Sequence, residues 1–242
     1  METGKLEYLK IKNITDQTAD IYFYGEIVGD EWAKWTNADT CPQDVIDALS
    51  TAEGKDLNIY INSPGGAVFA GVAIYNMLSR HKGKKTVYVD GVAASIASVI
   101  AMAGDEIVIP SNAYLMIHNP LCCVCGNASE LRKMADDLDI IRMGMEDIYK
   151  TKLRDGVKID DILKLMDAET WMTGDQAAQY YDVTVSKPVD AVACAPEWIK
   201  GFARPPEALK KQESETKQLL ENELALTDSF IFIEKMEGKM YE

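Results

Sequence analysis

The sequence predicts an α/β domain with a largely parallel sheet, and three observations lead to this fold class. Short apolar segments rich in β-branched and aromatic residues alternate with segments whose apolar residues recur every three or four positions. Glycines mark several junctions between the two kinds of segment. One later segment, 127–153, keeps the helical spacing for much longer than the others. Because parallel strands need a crossover between them, alternation of strands and helices favours βαβ units.

The predicted elements follow one another from residue 20 to residue 185. Segments with the length and composition of strands are 20–28, 57–61, 86–89, 107–109, 113–117 and 183–185. Segments with helical spacing are 42–49, 67–80, 95–102, 127–153, 159–166 and 174–181. The stretch Asn62-Ser63-Pro64-Gly65-Gly66 is predicted to end the second strand, and Gly91 to end the third.

The chain is predicted to divide into three parts. Residues 20–188 form the α/β domain, and residues 1–19 form an N-terminal segment. Pro196, Pro205 and Pro206 then indicate a linker, and residues 206–240 are charge-rich with helical potential. Residues 189–242 are therefore expected to be a linker and an acidic C-terminal tail, which we interpret as a solvated appendage in preference to a partner-binding helix. Its apolar stretch at 230–233 would nevertheless suit docking on a neighbouring subunit.

Composition excludes several classes of function. The 242 residues carry a formal net charge of −14, which argues against binding to nucleic acid or to an anionic membrane surface. The first twelve residues have scattered charges and lack the apolar core of a signal peptide, and the apolar run 92–103 is too short to span a bilayer. The odd number of cysteines, five, argues against a disulfide framework and indicates a reducing, cytoplasmic setting.

Two strand–helix junctions are predicted to meet at one edge of the sheet. The junctions at Gly65-Gly66 and at 91–95 each follow a strand and open a helix, and in a parallel sheet such junctions emerge at the same edge. Helix N-termini present unpaired N–H groups, and glycine lets the backbone approach a substrate closely. These features indicate an oxyanion hole, although a glycine pair after a strand also fits a simple tight turn.

A serine and a histidine near this edge are candidates for nucleophile and base. Ser95 begins the predicted helix among alanines, which leave room for a substrate carbonyl. His118 follows the strand 113–117, whereas His81 ends a helix and is followed by lysine. Taken singly, Ser95 also fits a packing residue and His118 a structural one. Their order and spacing together indicate serine catalysis with His118 as the base.

Four motifs resemble those of ClpP, the proteolytic subunit of Clp proteases. Ile61-Asn-Ser-Pro-Gly-Gly66 resembles the family's oxyanion loop, Gly91-Val-Ala-Ala-Ser-Ile96 its nucleophile motif, and Met116-Ile-His-Asn-Pro120 its histidine motif. Trp171-Met-Thr-Gly-Asp-Gln-Ala177 resembles the segment after the catalytic aspartate. The resemblance covers about residues 20–187, in family order. It implies a ClpP/crotonase-type spiral of ββα units with a protruding handle helix at about 127–153.

The resemblance also assigns roles to individual residues. It makes Ser95 the nucleophile and His118 the general base, with the N–H groups of Gly66 and Ile96 as oxyanion donors. A strand at 121–127 would line the substrate groove. The groove residues it implies are Gly65, Ala67, Leu121, Cys122 and Cys123.

The acid of the triad is the point at which the sequence departs from the family. Counting back from Trp171 places the family's aspartate on Glu169, and Asp167 is the alternative. Glutamate can serve because the acid holds the histidine tautomer and stabilises the imidazolium. We favour Glu169.

The prediction is therefore a serine endopeptidase that works inside an oligomeric chamber, a ring or stacked rings. The variant motifs and acidic tail resemble phage and prophage ClpP-related proteins, which implies maturation of a phage capsid (prohead), with capsid or scaffold proteins as partners. The alternative is a ClpP peptidase for general protein degradation, fed by a ring ATPase. Protein or peptide is the expected substrate in both.

Three other functions were considered: a crotonase-fold acyl-CoA enzyme, a serine–lysine peptidase and an inactive structural homologue. The Ser95–His118 pair disfavours the first, and the absence of a lysine near Ser95 disfavours the second. No cofactor is expected. No metal site is expected either, because Cys122, Cys123 and Cys125 lack a second ligand pair at zinc-site spacing.

Overall fold

The structure is a computed structural model that describes residues 11–188 and 201–206. The chain divides into two units, Met1–Cys194 and Ala195–Glu242. Within the second unit the described residues are 201–206, so the predicted helical tail and its apolar stretch at 230–233 lie outside the described residues. The first unit holds the α/β domain.

The described part of the first unit contains one sheet of eight strands and six α-helices. The strands are β1 (Ile11–Lys12), β2 (Thr18–Ile27), β3 (Asp56–Gly66), β4 (Lys85–Ala94), β5 (Glu106–Pro110), β6 (Tyr114–Ile117), β7 (Thr170–Thr173) and β8 (Thr184–Ser186). The helices are α1 (Pro42–Thr51), α2 (Val68–Arg80), α3 (Ile96–Ala101), α4 (Ala128–Lys150), α5 (Ile159–Asp167) and α6 (Gly174–Ala177). The predicted α/β fold class is confirmed.

The strands pair in the order β1-β2-β3-β4-β5-β8, and β6 pairs with both β4 and β7. The pairs β2–β3, β3–β4, β4–β5, β4–β6 and β5–β8 are parallel, whereas β1–β2 and β6–β7 are antiparallel. Each parallel step between consecutive strands is made through a helix or a longer connection, as the alternation in the sequence predicts.

Strand β3 shows how the sequence divides the two faces of the sheet. Leu57, Ile59 and Ile61 are buried in the core, because successive side chains point to opposite faces. On the other face Tyr60 stacks between Tyr22 and Tyr88, with ring centroids 4.8 and 5.2 Å apart. The core-facing side packs against α3, and buried residues of α2 belong to the same hydrophobic core.

Helix α4 contributes little to that core. Its buried residues are Met145, Ile148 and Tyr149, all near its C-terminal end. Asn127 caps the other end by accepting from the N–H groups of Ser129 and Glu130. The larger part of the long predicted helix therefore lies outside the core. Among the described residues, none of the helices combines the length and the apolar character needed to cross a membrane.

Several predicted boundaries are wrong, and the errors have physical causes. Strand β3 extends beyond the predicted end at residue 61 and stops only at Gly66, because Gly65 and Gly66, with φ of +95° and +142°, still pair with β2. The predicted helix at 174–181 is only four residues long. The predicted strand at 121–127 is absent: this segment is exposed and has no neighbouring strand, among the described residues, to receive its backbone hydrogen bonds. The short strands β1 and β7 were not predicted.

Strand β4 also passes its predicted break at Gly91, and there it changes partner. In its first half, residues Thr86 to Tyr88 pair with β5. Its last three residues pair with β6, where Ala94 lies opposite Met116. The residue after Ala94 is Ser95, and the residues after Met116 are Ile117 and His118. Strand pairing thus brings the two candidate catalytic residues to the same edge of the sheet.

Candidate active site

Ser95 lies at the turn between β4 and α3 with a strained backbone. Its φ of 55° and ψ of −128° lie in a region that residues with a Cβ rarely occupy, at a cost of roughly 1–3 kcal/mol. Hydrogen bonds on both sides hold it there: the Ser95 N–H donates to the Met116 carbonyl at 3.0 Å, and the Ser98 N–H donates to the Ser95 carbonyl at 3.0 Å. Its side chain is half-buried.

His118 meets this serine directly. Its Nε2 atom lies 2.8 Å from Ser95 Oγ, within hydrogen-bond distance. The residue is only 8% exposed, and burial lowers the pKa of His118 below its ordinary value of 6.5, while the charge of Glu169 acts in the opposite direction. The other histidine, His81, places its Nε2 2.7 Å from the Lys55 carbonyl oxygen. The structure therefore brings His118, and not His81, to Ser95.

The two candidate acids occupy different surroundings. In the antiparallel β6–β7 pair, Ile117 lies opposite Thr170, so one further step in register sets His118 beside Glu169. Glu169 has a φ of 49° at the junction between α5 and β7. It is also the residue whose charge acts on His118.

Asp167 is held by other partners. Its Oδ1 atom accepts from Asn119 Nδ2 at 2.9 Å and lies 3.0 Å from Arg142 Nη2. Its side chain is 56% exposed. A carboxylate engaged in this way is poorly placed to orient His118.

The glycine segment packs under the serine. A Cβ added at Gly65 would lie 2.7 Å from both the Ser95 Cβ and the Ala94 carbonyl oxygen, and one at Gly66 would lie 2.1 Å from the Ile27 carbonyl oxygen. The Gly65 N–H donates to Ser63 Oγ at 3.1 Å, just as the Ser95 N–H is engaged with Met116. The N–H groups of Gly65 and Ser95 therefore already have partners within the protein. The residues predicted as oxyanion donors, Gly66 and Ile96, come directly after them in the sequence.

An apolar groove of about 690 Å³ runs beside this segment. Its lining includes three of the predicted groove residues, Ala67, Leu121 and Cys122. The remaining lining residues are Gly29, Pro42, Val68, Phe69, Ala70, Ala73, Pro120, Met134, Leu138 and Ile141. Of the other two predicted groove residues, Gly65 lies against Ser95 and Cys123 is exposed in the segment 121–127.

Comparison with known proteins identifies the family. The model of the family described as Clp protease matches residues 11–181. The chain belongs to the Clp protease family. The prediction of a ClpP-like serine peptidase is thereby confirmed.

Curated relatives in this Clp protease family are about one-third identical to the chain. A protein of Bacteroides fragilis is 31% identical over 163 residues, which cover 66% of this chain and 75% of the relative. A protein of Porphyromonas gingivalis is 35% identical over 153 residues, covering 60% and 68%. Both relatives are named ATP-dependent Clp protease proteolytic subunit. None of these names refers to phages.

One group of side chains in this Clp protease chain could be considered for a metal ion. Ligand atoms of Glu31, Cys41 and Asp44 lie within 4.8 Å of one another. The Asp44 carboxylate, however, pairs with Lys34 Nζ at 2.7 Å and accepts from the Cys41 N–H at 2.9 Å. These contacts give Asp44 the role of a helix cap, and we assign no metal to it.

Two residues behind Ser95 were not singled out from the sequence. Ser98 and Tyr149 are fully buried and joined by a hydrogen bond of 2.7 Å. Ser98 could have been noticed as the second serine of the stretch Ala94-Ser-Ile-Ala-Ser98. Tyr149 carried no such signal, because its partner is 51 residues away in the sequence.

Proposed function

We propose that the chain hydrolyses peptide bonds with Ser95 as nucleophile, His118 as general base and Glu169 as the acid that orients His118. The observation that carries the proposal is the 2.8 Å contact between Ser95 Oγ and His118 Nε2 at a strained strand–helix turn. The β6–β7 register, which sets Glu169 beside His118, supports the choice of acid. Asp167 pairs with Arg142 and accepts a hydrogen bond from Asn119, which argues against Asp167 as the acid.

The reaction follows from this geometry in two halves. Ser95 Oγ attacks the scissile carbonyl carbon as its proton passes to His118 Nε2, and the resulting oxyanion accepts from the N–H groups of Gly66 and Ile96. His118 then gives the proton to the leaving amine, which leaves an acyl ester on Ser95. Water attacks this ester with His118 again acting as base, and the carboxylic acid product and free serine result.

The groove beside Gly66 suits an apolar side chain of the substrate. Its lining is predominantly aliphatic and aromatic, with Phe69, Met134 and Leu138 among the larger residues. Burial of apolar substrate surface there would supply binding free energy at about 25 cal/mol per Å². We therefore infer a preference for peptides with an apolar residue next to the scissile bond.

We propose that the peptidase works as a homo-oligomeric chamber that receives protein from a ring ATPase. General protein degradation was the alternative prediction from the sequence, and the names of the relatives favour it over capsid maturation. The capsid-maturation interpretation has no support from those names. A cytoplasmic location remains a prediction from composition. The contact between Ser95 and His118 argues against a crotonase-type acyl-CoA enzyme, which would need neither residue.

Covalent labelling tests the proposed chemistry. We expect a fluorophosphonate probe to modify Ser95, as located by peptide mapping, and the purified protein to cleave a fluorogenic peptide with an apolar residue before the scissile bond. Prior labelling should remove the cleavage in proportion to occupancy. Cleavage that persists after complete labelling would contradict the proposal, and binding of an acyl-CoA without labelling would indicate a crotonase-type activity instead.

Gly65→Ala should lower kcat/KM by about a hundredfold or more, comparable to the loss of an oxyanion donor. The new Cβ would meet Ser95 Cβ at 2.7 Å and the Ile96 nitrogen at 3.0 Å, so the serine turn must shift. Steady-state kinetics on the fluorogenic peptide measures the effect. Gly54→Ala is the matched control, because Gly54 also has a positive φ, +76°, but nothing lies within 4 Å of an added Cβ. Equal losses in the two variants would show that backbone strain alone is responsible.

A further inference from the structure

A buried chain of hydrogen bonds runs from α4 to the carbonyl group of Ser95. Ser98 Oγ lies 2.5 Å from the Ser95 carbonyl oxygen and 2.7 Å from the Tyr149 hydroxyl oxygen. Ser98 and Tyr149 are both 0% exposed. The chain therefore connects the last full turn of α4 to the backbone of the residue that we propose as nucleophile.

The direction of each hydrogen bond follows from the groups involved. A carbonyl oxygen can only accept, so the Ser98 O–H donates to the Ser95 carbonyl. Ser98 has one hydroxyl proton, so the Tyr149 O–H donates to Ser98 Oγ. Burial raises the pKa of Tyr149, which keeps the phenol protonated and able to donate. Together with the Ser98 N–H at 3.0 Å, two donors of one residue hold the Ser95 carbonyl.

Fixing this carbonyl also fixes the next N–H group. The peptide bond between Ser95 and Ile96 is trans, since the described chain has no cis peptide, and in a planar trans peptide C=O and N–H point in opposite directions. The carbonyl points inward to Ser98, so the Ile96 N–H points away from Ser98 and Tyr149. Rotation of this peptide plane would swing the N–H away from a developing oxyanion.

We propose that Ser98 and Tyr149 are positioning residues, which hold the Ser95–Ile96 peptide so that the Ile96 N–H faces the oxyanion of the tetrahedral intermediate. This inference rests on the proposed function of Ser95 and Ile96. Neither Ser98 nor Tyr149 touches the substrate. Their effect is transmitted through one peptide plane, and it should be larger on the tetrahedral intermediate than on bound substrate.

Tyr149→Phe tests the proposal because it removes one hydroxyl and leaves the ring. We expect kcat to fall about tenfold with KM unchanged, a smaller loss than the roughly hundredfold or more expected when a donor is removed outright. Affinity for a peptide boronic acid, which forms a tetrahedral adduct on serine, should fall by the same factor. Affinity for the C-terminal product peptide, which carries no carboxylate at the scissile carbon, should not change.

Tyr181→Phe is the matched control. Tyr181 is 1% exposed, its ring lies 6.0 Å from that of Tyr149, and its hydroxyl has no hydrogen-bond partner among the described residues. This variant should retain the kcat and the boronic acid affinity of the wild type. Equal losses in the two tyrosine variants, or no loss in Tyr149→Phe, would overturn the proposal.

A double variant separates positioning from simple packing. Ser98→Ala should lower kcat and boronic acid affinity at least as much as Tyr149→Phe does. Adding Tyr149→Phe to Ser98→Ala should then have no further effect on kcat, because the tyrosine hydroxyl acts only through Ser98. Additive losses would overturn the proposal. A wild type that cleaves no peptide and takes no fluorophosphonate label would instead show that the proposed function has failed.

Discussion

Ser95→Ala should abolish peptide cleavage, with kcat falling by roughly a millionfold, as on removal of the nucleophile of a comparable triad. Alanine keeps the Cβ and therefore the same strained backbone at φ 55°, so the substitution tests the hydroxyl group alone. His118 would remain, but it would have no alcohol to deprotonate. The measurement is steady-state cleavage of the fluorogenic peptide, with product confirmed by mass spectrometry.

The control for this variant is another serine-to-alanine change on an exposed element. Ser129 lies in the first turn of α4, and Ser129→Ala should cleave at the wild-type rate. Both variants should unfold at about the wild-type temperature and form the same oligomer as the wild type. Cleavage by Ser95→Ala within tenfold of the wild type would defeat the assignment of the nucleophile.

The sequence was sufficient for the parts of the site that depend on local pattern. Alternating strands and helices predicted a parallel sheet, and a parallel sheet places consecutive strand ends at one edge. Ser95 and His118 follow two such strands, β4 and β6, and those strands pair directly. Their position at one edge of the sheet could therefore be predicted from the sequence, whereas the direct pairing of β4 with β6 could not.

The limits of the sequence appear where a long-range pairing decides the local structure. Gly65 and Gly66 have the composition of a turn, but pairing with β2 extends the strand through both of them. Strand β7 is only Thr170–Thr173, too short for an alternating pattern, and its pairing with β6 is what separates Glu169 from Asp167. The Tyr149–Ser98 contact joins residues far apart in the chain and has no local pattern at all.

Glu169→Gln should lower kcat/KM on the order of a thousandfold or more, whereas Asp167→Asn should lower it less than about threefold. A neutral amide beside His118 neither stabilises the imidazolium nor enforces the tautomer that leaves Nε2 free to accept the serine proton. Asp167→Asn removes an ion pair with Arg142. The Asp167 side chain is 56% exposed, and such exposed pairs contribute about 0–1 kcal/mol to stability. Peptide kinetics on the two variants gives the comparison. The opposite ranking would transfer the acid role to Asp167.

The pH profile gives a second test of the same pair, with a sign that the structure determines. The base must be neutral to accept a proton, so kcat/KM should rise with pH through the pKa of His118 in the free enzyme. Burial lowers that pKa, and the acid limb should therefore have its midpoint below the ordinary histidine value of 6.5. The charge of Glu169 raises the pKa of His118, so Glu169→Gln should move the midpoint of the acid limb to still lower pH while the maximum kcat/KM falls. Asp167→Asn should leave the midpoint of the acid limb unchanged. A midpoint that stays fixed, or rises, in Glu169→Gln would mean that this carboxylate does not act on His118, because removal of a neighbouring negative charge can only make protonation of the imidazole less favourable.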